Sequence, residues 1–238
     1  GQADVPAIED EKTRGREDEG EACGGRCSAD LAGVPTWTPP ISDDYASLEA
    51  LLAAVRACRA CEAHLPLGPN PVLQAGATAR LLIVGQAPGL RVHRSGIPWD
   101  DASGVRLRDW MGVTPATFYD ASKVAIIPMG YCYPGRGASG DLPPRRECAE
   151  LWLDKLLARL PRVELTLLVG QYAQRHFLGN RRKGSLTETV MAWREYGPGH
   201  VPLPHPSPRN QPWFARHPWF AHELLPSLRE RVQRLLDA

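Results

Sequence analysis

No stretch of this sequence approaches the roughly 18 consecutive apolar residues of a membrane-spanning helix, so a membrane-embedded chain is not expected. The start, "GQADVPAIED", lacks a basic segment followed by an apolar core, so no secretory signal is visible there. A cytoplasmic, reducing location is the expectation, and in it six cysteines read as metal ligands before disulfides. Residues 1–45 also lack any apolar period. They hold four Lys/Arg against eleven Asp/Glu, a net charge of −7, and are rich in Gly and Pro. Such a segment is expected to be a disordered or loosely docked acidic tail. Because the whole chain carries +1, residues 46–238 carry +8. A basic body suits a polyanionic partner.

What is present beyond residue 45 has the composition of one globular domain. Four short apolar runs read as buried parallel strands: "ARLLIV" (79–84), "KVAIIP" (123–128), "ELTLLV" (164–169) and "HVPLP" (200–204). Helical patterns cover 47–61, 103–112, 145–160, 171–179 and 185–196, and one at the C-terminus has a kink expected at Pro226. Alternation of strand and helix predicts an α/β fold with a mainly parallel sheet.

In such sheets ligands bind beyond the carboxyl ends of the strands. Three strands run into loops of unusual chemistry: "GQAPG" (85–89), "MGYCYPGRGASGD" (129–141) and "HPSPRN" (205–210). All three are expected on one rim. Gly85 and Gly89 permit close backbone approach to a ligand, Gln86 can donate and accept, and Trp99 offers an indole face for a base. Asp100 and Asp101 precede a helix, so one of them can cap it or stand at a site to orient water. His205 can donate a hydrogen bond to an oxygen that becomes negative in a transition state. Ser207, the amides beside it and Arg209 are candidates for phosphate contact. Cys58 and Cys61 form C-x2-C before the first strand, and Cys132 and Cys148 form C-x15-C after the second. Four thiolates suit a zinc ion or an iron–sulfur cluster. Cys23 and Cys27 read as free thiols in the tail.

The "GQAPG", "DASG" and "HPSPRN" segments together resemble the uracil-DNA glycosylase superfamily. The cysteine order resembles its iron–sulfur branch, families four and five, in which four cysteines hold a [4Fe–4S] cluster. The resemblance spans about residues 47–225. It implies a four-stranded sheet between helical layers, a three-layer α/β/α domain over 46–238. It implies a monomeric enzyme that flips a uracil or another deaminated base out of DNA and cuts the base–sugar bond, initiating base excision repair near the nucleoid. Cys58, Cys61, Cys132 and Cys148 would be the cluster ligands. Family four has Glu where this chain has Gln86, and family one has Asp where it has Ala87, so the acid is expected elsewhere. Family five carries it in a "GDASG" segment, and Asp101 matches that position. His205 matches the histidine of the second motif, and Trp99 the aromatic residue that stacks on the flipped base. Gln86, Ala87 and Trp99 would contact the base, and Gly89, Ser207, Arg209 and Asn210 the DNA. No lysine stands where an amine nucleophile is needed; Lys183, in "NRRKGS", suits phosphate instead.

One departure is marked. Many members have an Asn four residues before the third cysteine, where its amide reads the base; here that residue is Pro128, with only a carbonyl. Two further readings therefore stand beside the glycosylase: a binder of uracil-containing or abasic DNA without turnover, and action on RNA or a free nucleoside.

Overall fold

A computed structural model describes residues 45–138 and 140–237. The acidic tail, with Cys23 and Cys27, lies outside the described residues. Strands β1 (Leu81–Val84), β2 (Val124–Ile126), β5 (Leu165–Val169) and β6 (His200–Leu203) form one all-parallel sheet in the order β2-β1-β5-β6. A small antiparallel hairpin, β3 (Arg136–Gly137) with β4 (Gly140–Asp141), stands apart from it. Pro202 fits within β6 because that strand is at the sheet edge, where a missing donor is tolerated.

The apolar runs are continuous because both faces of the sheet are covered. Leu82, Val84 and Leu168 join one core with residues of α1 (Leu48–Arg56), of the helical run 146–157 and of α7 (Gln171–Leu178). Leu81, Ile83, Leu167 and Leu203 join the other, with α3 (Ala102–Met111), α8 (Leu186–Met191) and α10 (Leu225–Asp237). The architecture is three-layer α/β/α, as expected.

Several boundaries differ from expectation. Ser47 caps α1 through its side chain, but the helix ends at Arg56, so Cys58 and Cys61 sit in the turn that follows. The single helix expected over 145–160 is α5 (Arg146–Cys148), a π-helical turn (Ala149–Leu153) and α6 (Asp154–Leu157). Near Pro226 the expected kink takes the form of a π-helical turn, Phe220–Leu224, just before α10. A proline lacks the N–H for the regular ladder, so hydrogen bonding shifts ahead of it. Three short helices carried too little apolar period to be read: α2 (Leu90–Ser95), α4 (Pro115–Phe118) and α9 (Gln211–Arg216).

Candidate active site

The loops after β1, β2 and β6 open on one cavity of about 260 Å³. Gly85, Gln86, Ala87 and Gly89 line it from the first loop, Pro128 from the second, and His205, Ser207 and Arg209 from the third. Trp99 and Asp101 line it as well. Asn210 is not among the lining residues; its amide donates to the His205 carbonyl at 2.8 Å and braces the loop.

The two aspartates separate. Asp100 pairs with Arg91 at 3.8 Å. Asp101 is the N-cap of α3, its Oδ1 accepting the Gly104 N–H at 2.8 Å. Capping engages one carboxylate oxygen and fixes the group at the cavity wall. The capping aspartate is thus also the one that lines the cavity.

Trp99 holds a left-handed backbone, φ 58°, which a bulky residue rarely adopts. Neighbours hold it there. A Cβ on Gly104 would lie 1.8 Å from the Trp99 carbonyl oxygen, and one on Gly85 would lie 2.9 Å from the indole. Arg108 also donates to the Trp99 carbonyl at 3.4 Å. Gly85 therefore makes room for the indole, and it also lines the cavity. The Trp99 and His205 rings stand 5.7 Å apart at 32°.

His205 accepts the Ser207 N–H at Nδ1, at 3.2 Å. A neutral ring with an accepting Nδ1 carries its proton on Nε2 and can donate there. Burial pushes its pKa below the ordinary 6.5, with Asp101 and Asp141 pulling weakly the other way. The ring is thus a neutral donor at neutral pH. The Ser207, Arg209 and Asn210 amides all donate within the loop, and Pro206 and Pro208 have none. The Ser207 and Arg209 side chains, not these amides, are what the loop offers to phosphate.

Asp141 was not singled out in the sequence, yet it lines the cavity from β4, close above Gly89. Gln86 donates to the neighbouring Leu142 carbonyl at 3.3 Å, tying the hairpin to the first loop. Its only signal was an acid inside a Gly-rich loop. Lys183 is paired with Glu195, and no lysine is among the lining residues.

All four candidate cysteines line a second, small cavity, with Leu65, Pro69, Pro71, Tyr131 and Arg145. None is in a disulfide. Tyr131 N–H donates to Cys148 Sγ and Trp152 Nε1–H to Cys58 Sγ, each at 3.4 Å. A hydrogen bond from Cys148 holds the Cys61 thiol down at about 7, and burial pushes Cys132 up to about 11. No three His, Cys, Asp or Glu among the described residues are grouped to hold a metal ion. A single zinc needs four sulfurs about 2.3 Å from one centre. In a cluster each thiolate binds its own iron, so the sulfurs stand further apart. Four thiols around one small cavity, two of them accepting N–H donors, are a ligand set that either a zinc ion or an iron–sulfur cluster can use.

The family model described as the uracil DNA glycosylase superfamily matches residues 73–229. The match takes in every residue named above as lining the first cavity, together with Cys132 and Cys148, while Cys58 and Cys61 precede it. Among the described residues no helix is long and apolar enough to cross a membrane.

Proposed function

This chain belongs to the uracil DNA glycosylase superfamily, and from that premise we propose that it is a monofunctional DNA glycosylase that excises uracil or another deaminated base and leaves an abasic site. Membership supports glycosylase chemistry on DNA in general; the base, the residues and the cluster are our reading. The observation that carries it is Asp101 and His205 on the walls of one cavity, with His205 Nδ1 accepting the Ser207 N–H.

The bond between the sugar and the base nitrogen breaks with its electron pair leaving on the base. The sugar becomes an oxocarbenium ion and the base an anion. Asp101 spends Oδ1 on the Gly104 amide, and in this reading its other oxygen is the one that serves the reaction. There its charge stabilises the cation and orients the attacking water, whose proton passes to the carboxylate and then to solvent. His205 donates from Nε2 to the base oxygen as charge gathers there. It stays uncharged, so nothing must deprotonate first. The departing base takes its proton from solvent, and no lysine amine enters. Trp99, fixed by its neighbours, stacks on the flipped base. The Pro-rich loop enters the groove already ordered, which lowers the entropy cost of docking, and Arg209 meets phosphate or fills the gap.

Cys58, Cys61, Cys132 and Cys148 would hold a [4Fe–4S] cluster, which when bound supplies a cross-link between the turn after α1 and the loop after β2, not a chemical step.

A non-catalytic binder is favoured by one observation: Pro128 lines the cavity and offers no donor. Base release settles the choice. Duplex and single-stranded oligonucleotides carrying uracil, hypoxanthine, xanthine or thymine are incubated with wild type and with Asp101→Asn. Release that depends on Asp101 supports the glycosylase. Salt-sensitive binding with no release from either protein sinks it in favour of the binder.

A further inference from the structure

Tyr131 is 1% exposed, yet its hydroxyl has no hydrogen-bond partner among the described residues. A buried, unmatched hydroxyl is costly and calls for an acceptor. Tyr131 lines the same cavity as Cys58, Cys61, Cys132 and Cys148. The nearby walls from Leu65, Pro69 and Pro71 bring no side-chain acceptor. Sulfur is what the cavity offers. Two N–H groups already point at it, the Tyr131 amide toward Cys148 and the Trp152 indole toward Cys58.

We infer that the Tyr131 hydroxyl donates a hydrogen bond to a sulfur of the iron–sulfur cluster held by these four cysteines, and that it sets how readily the cluster is oxidised. The inference rests on the cluster reading above and goes beyond it by giving Tyr131 a role. A donor to a cluster sulfur stabilises the more negative, reduced form and so raises the potential. Tyr131 also lies on the segment that builds the base pocket. Met129 N–H donates to the Gly85 carbonyl at 3.0 Å and Gly130 N–H to that of Gln86 at 2.9 Å. Oxidative loss of the cluster would therefore loosen the pocket wall at Pro128.

The test compares wild type, Tyr131→Phe and a protein with 3-fluorotyrosine at position 131, each purified with its cluster. Iron and acid-labile sulfide are quantified first. The midpoint potential for cluster oxidation is then measured, together with the rate of bleaching near 400 nm under ferricyanide. Tyr131→Phe is expected to shift the oxidised-to-reduced ratio about tenfold toward oxidised, the scale of one such hydrogen bond, or about 59 mV for one electron, and to bleach faster. Fluorotyrosine, a stronger donor of nearly the same size, is expected to move both readings the opposite way. If Tyr131→Phe fails to load iron, the fluorotyrosine comparison decides alone. Equal potentials and bleaching rates in iron-loaded proteins overturn the Tyr131 hydrogen bond and leave the cluster standing. Zinc without iron in the wild type overturns the cluster and the inference with it.

Discussion

The Arg106 guanidinium, on α3, donates to the Ser207 backbone carbonyl at 3.3 Å. A second nitrogen reaches Gln211 Oε1 at 3.3 Å, and the group lies 5.2 Å over the Phe214 ring. Asp101 caps this same helix and His205 stands two residues before Ser207. One side chain thus links the helix that Asp101 caps to the loop that carries His205. Small displacements between reacting groups are expensive, up to about 100-fold per ångström. Arg106→Met is therefore expected to lower the single-turnover rate of base release by about 10- to 100-fold. Arg106→Lys restores little, since one ammonium cannot reproduce the planar fork. A rate within twofold of wild type would mean that the link positions nothing.

Capping and chemistry at Asp101 can be separated. Asn caps about as well as Asp, whereas Ala costs about 1 kcal/mol. Asp101→Asn and Asp101→Ala should lose base release alike, by about 10²- to 10⁴-fold. Only Asp101→Ala should show a clear fall in denaturation midpoint. Full activity in Asp101→Asn would move the carboxylate's role to Asp141.

The pH dependence follows from His205. Burial puts its folded pKa below the ordinary 6.5. Between those two values the unfolded chain holds a proton that the folded protein does not. Its contribution to stability is thus full above about 6.5 and is lost as pH falls through the lowered pKa. His200 shares this direction, again chiefly through burial, so stability alone does not isolate His205. Base release does. It should stay level from neutral pH to below 6.5, then fall as the ring protonates and Nδ1 can no longer accept the Ser207 N–H. In His205→Gln the rate should drop about 10²- to 10³-fold and lose that acid limb. An unchanged limb would assign it to another group.

Much of this was legible because parallel strands buried on both faces read as unbroken apolar runs. Leu81 and Ile83 face one core, Leu82 and Val84 the other. Strand ends followed by "GQAPG" and "HPSPRN" pointed to the rim on which the cavity opens. The end of α1 was not legible, because apolar residues continue at helical spacing through Cys61 although the helix stops at Arg56. Asp141 was hidden because its place depends on a hairpin folding back over Gly89. The Arg106 bond joins residues 101 apart in sequence, which no local pattern records. Nor does any propensity foretell a left-handed tryptophan. Gly104 in "DASG" was the only trace of it, the residue whose missing Cβ leaves room for the Trp99 carbonyl.

That steric relation is itself testable. A Cβ at Gly104 would sit 1.8 Å from the Trp99 carbonyl oxygen, which Arg108 also holds. Backbone cannot yield by rotating a side chain, so Gly104→Ala must displace Trp99 or the start of α3. Loss of more than about 2 kcal/mol is expected in chemical denaturation, within the range for backbone strain and lost caps. Indole fluorescence should change as Trp99 leaves its place beside His205. A variant with wild-type stability and fluorescence would show that the approach is not as close as described.

Pro128 offers the sharpest test of substrate choice. It lines the cavity after β2 and supplies no donor to a base edge. The N–H it lacks is not needed by the sheet. Ile127 is the last residue there to donate to β1, to the Ile83 carbonyl at 3.0 Å, before Met129 and Gly130 bond to the first loop. Pro128→Asn therefore adds an amide to the cavity without breaking a backbone bond. A good hydrogen-bonded reading group discriminates by about 1–3 kcal/mol, so kcat/KM for uracil should rise by about 5- to 150-fold over the parent. The ratio of uracil to hypoxanthine release should rise with it, because one amide matched to the uracil edge cannot match a purine equally well. If uracil release is unchanged while other bases are still excised, the cavity reads its base through Gln86, Asp141 and main-chain groups, and uracil is not the base it is built to hold.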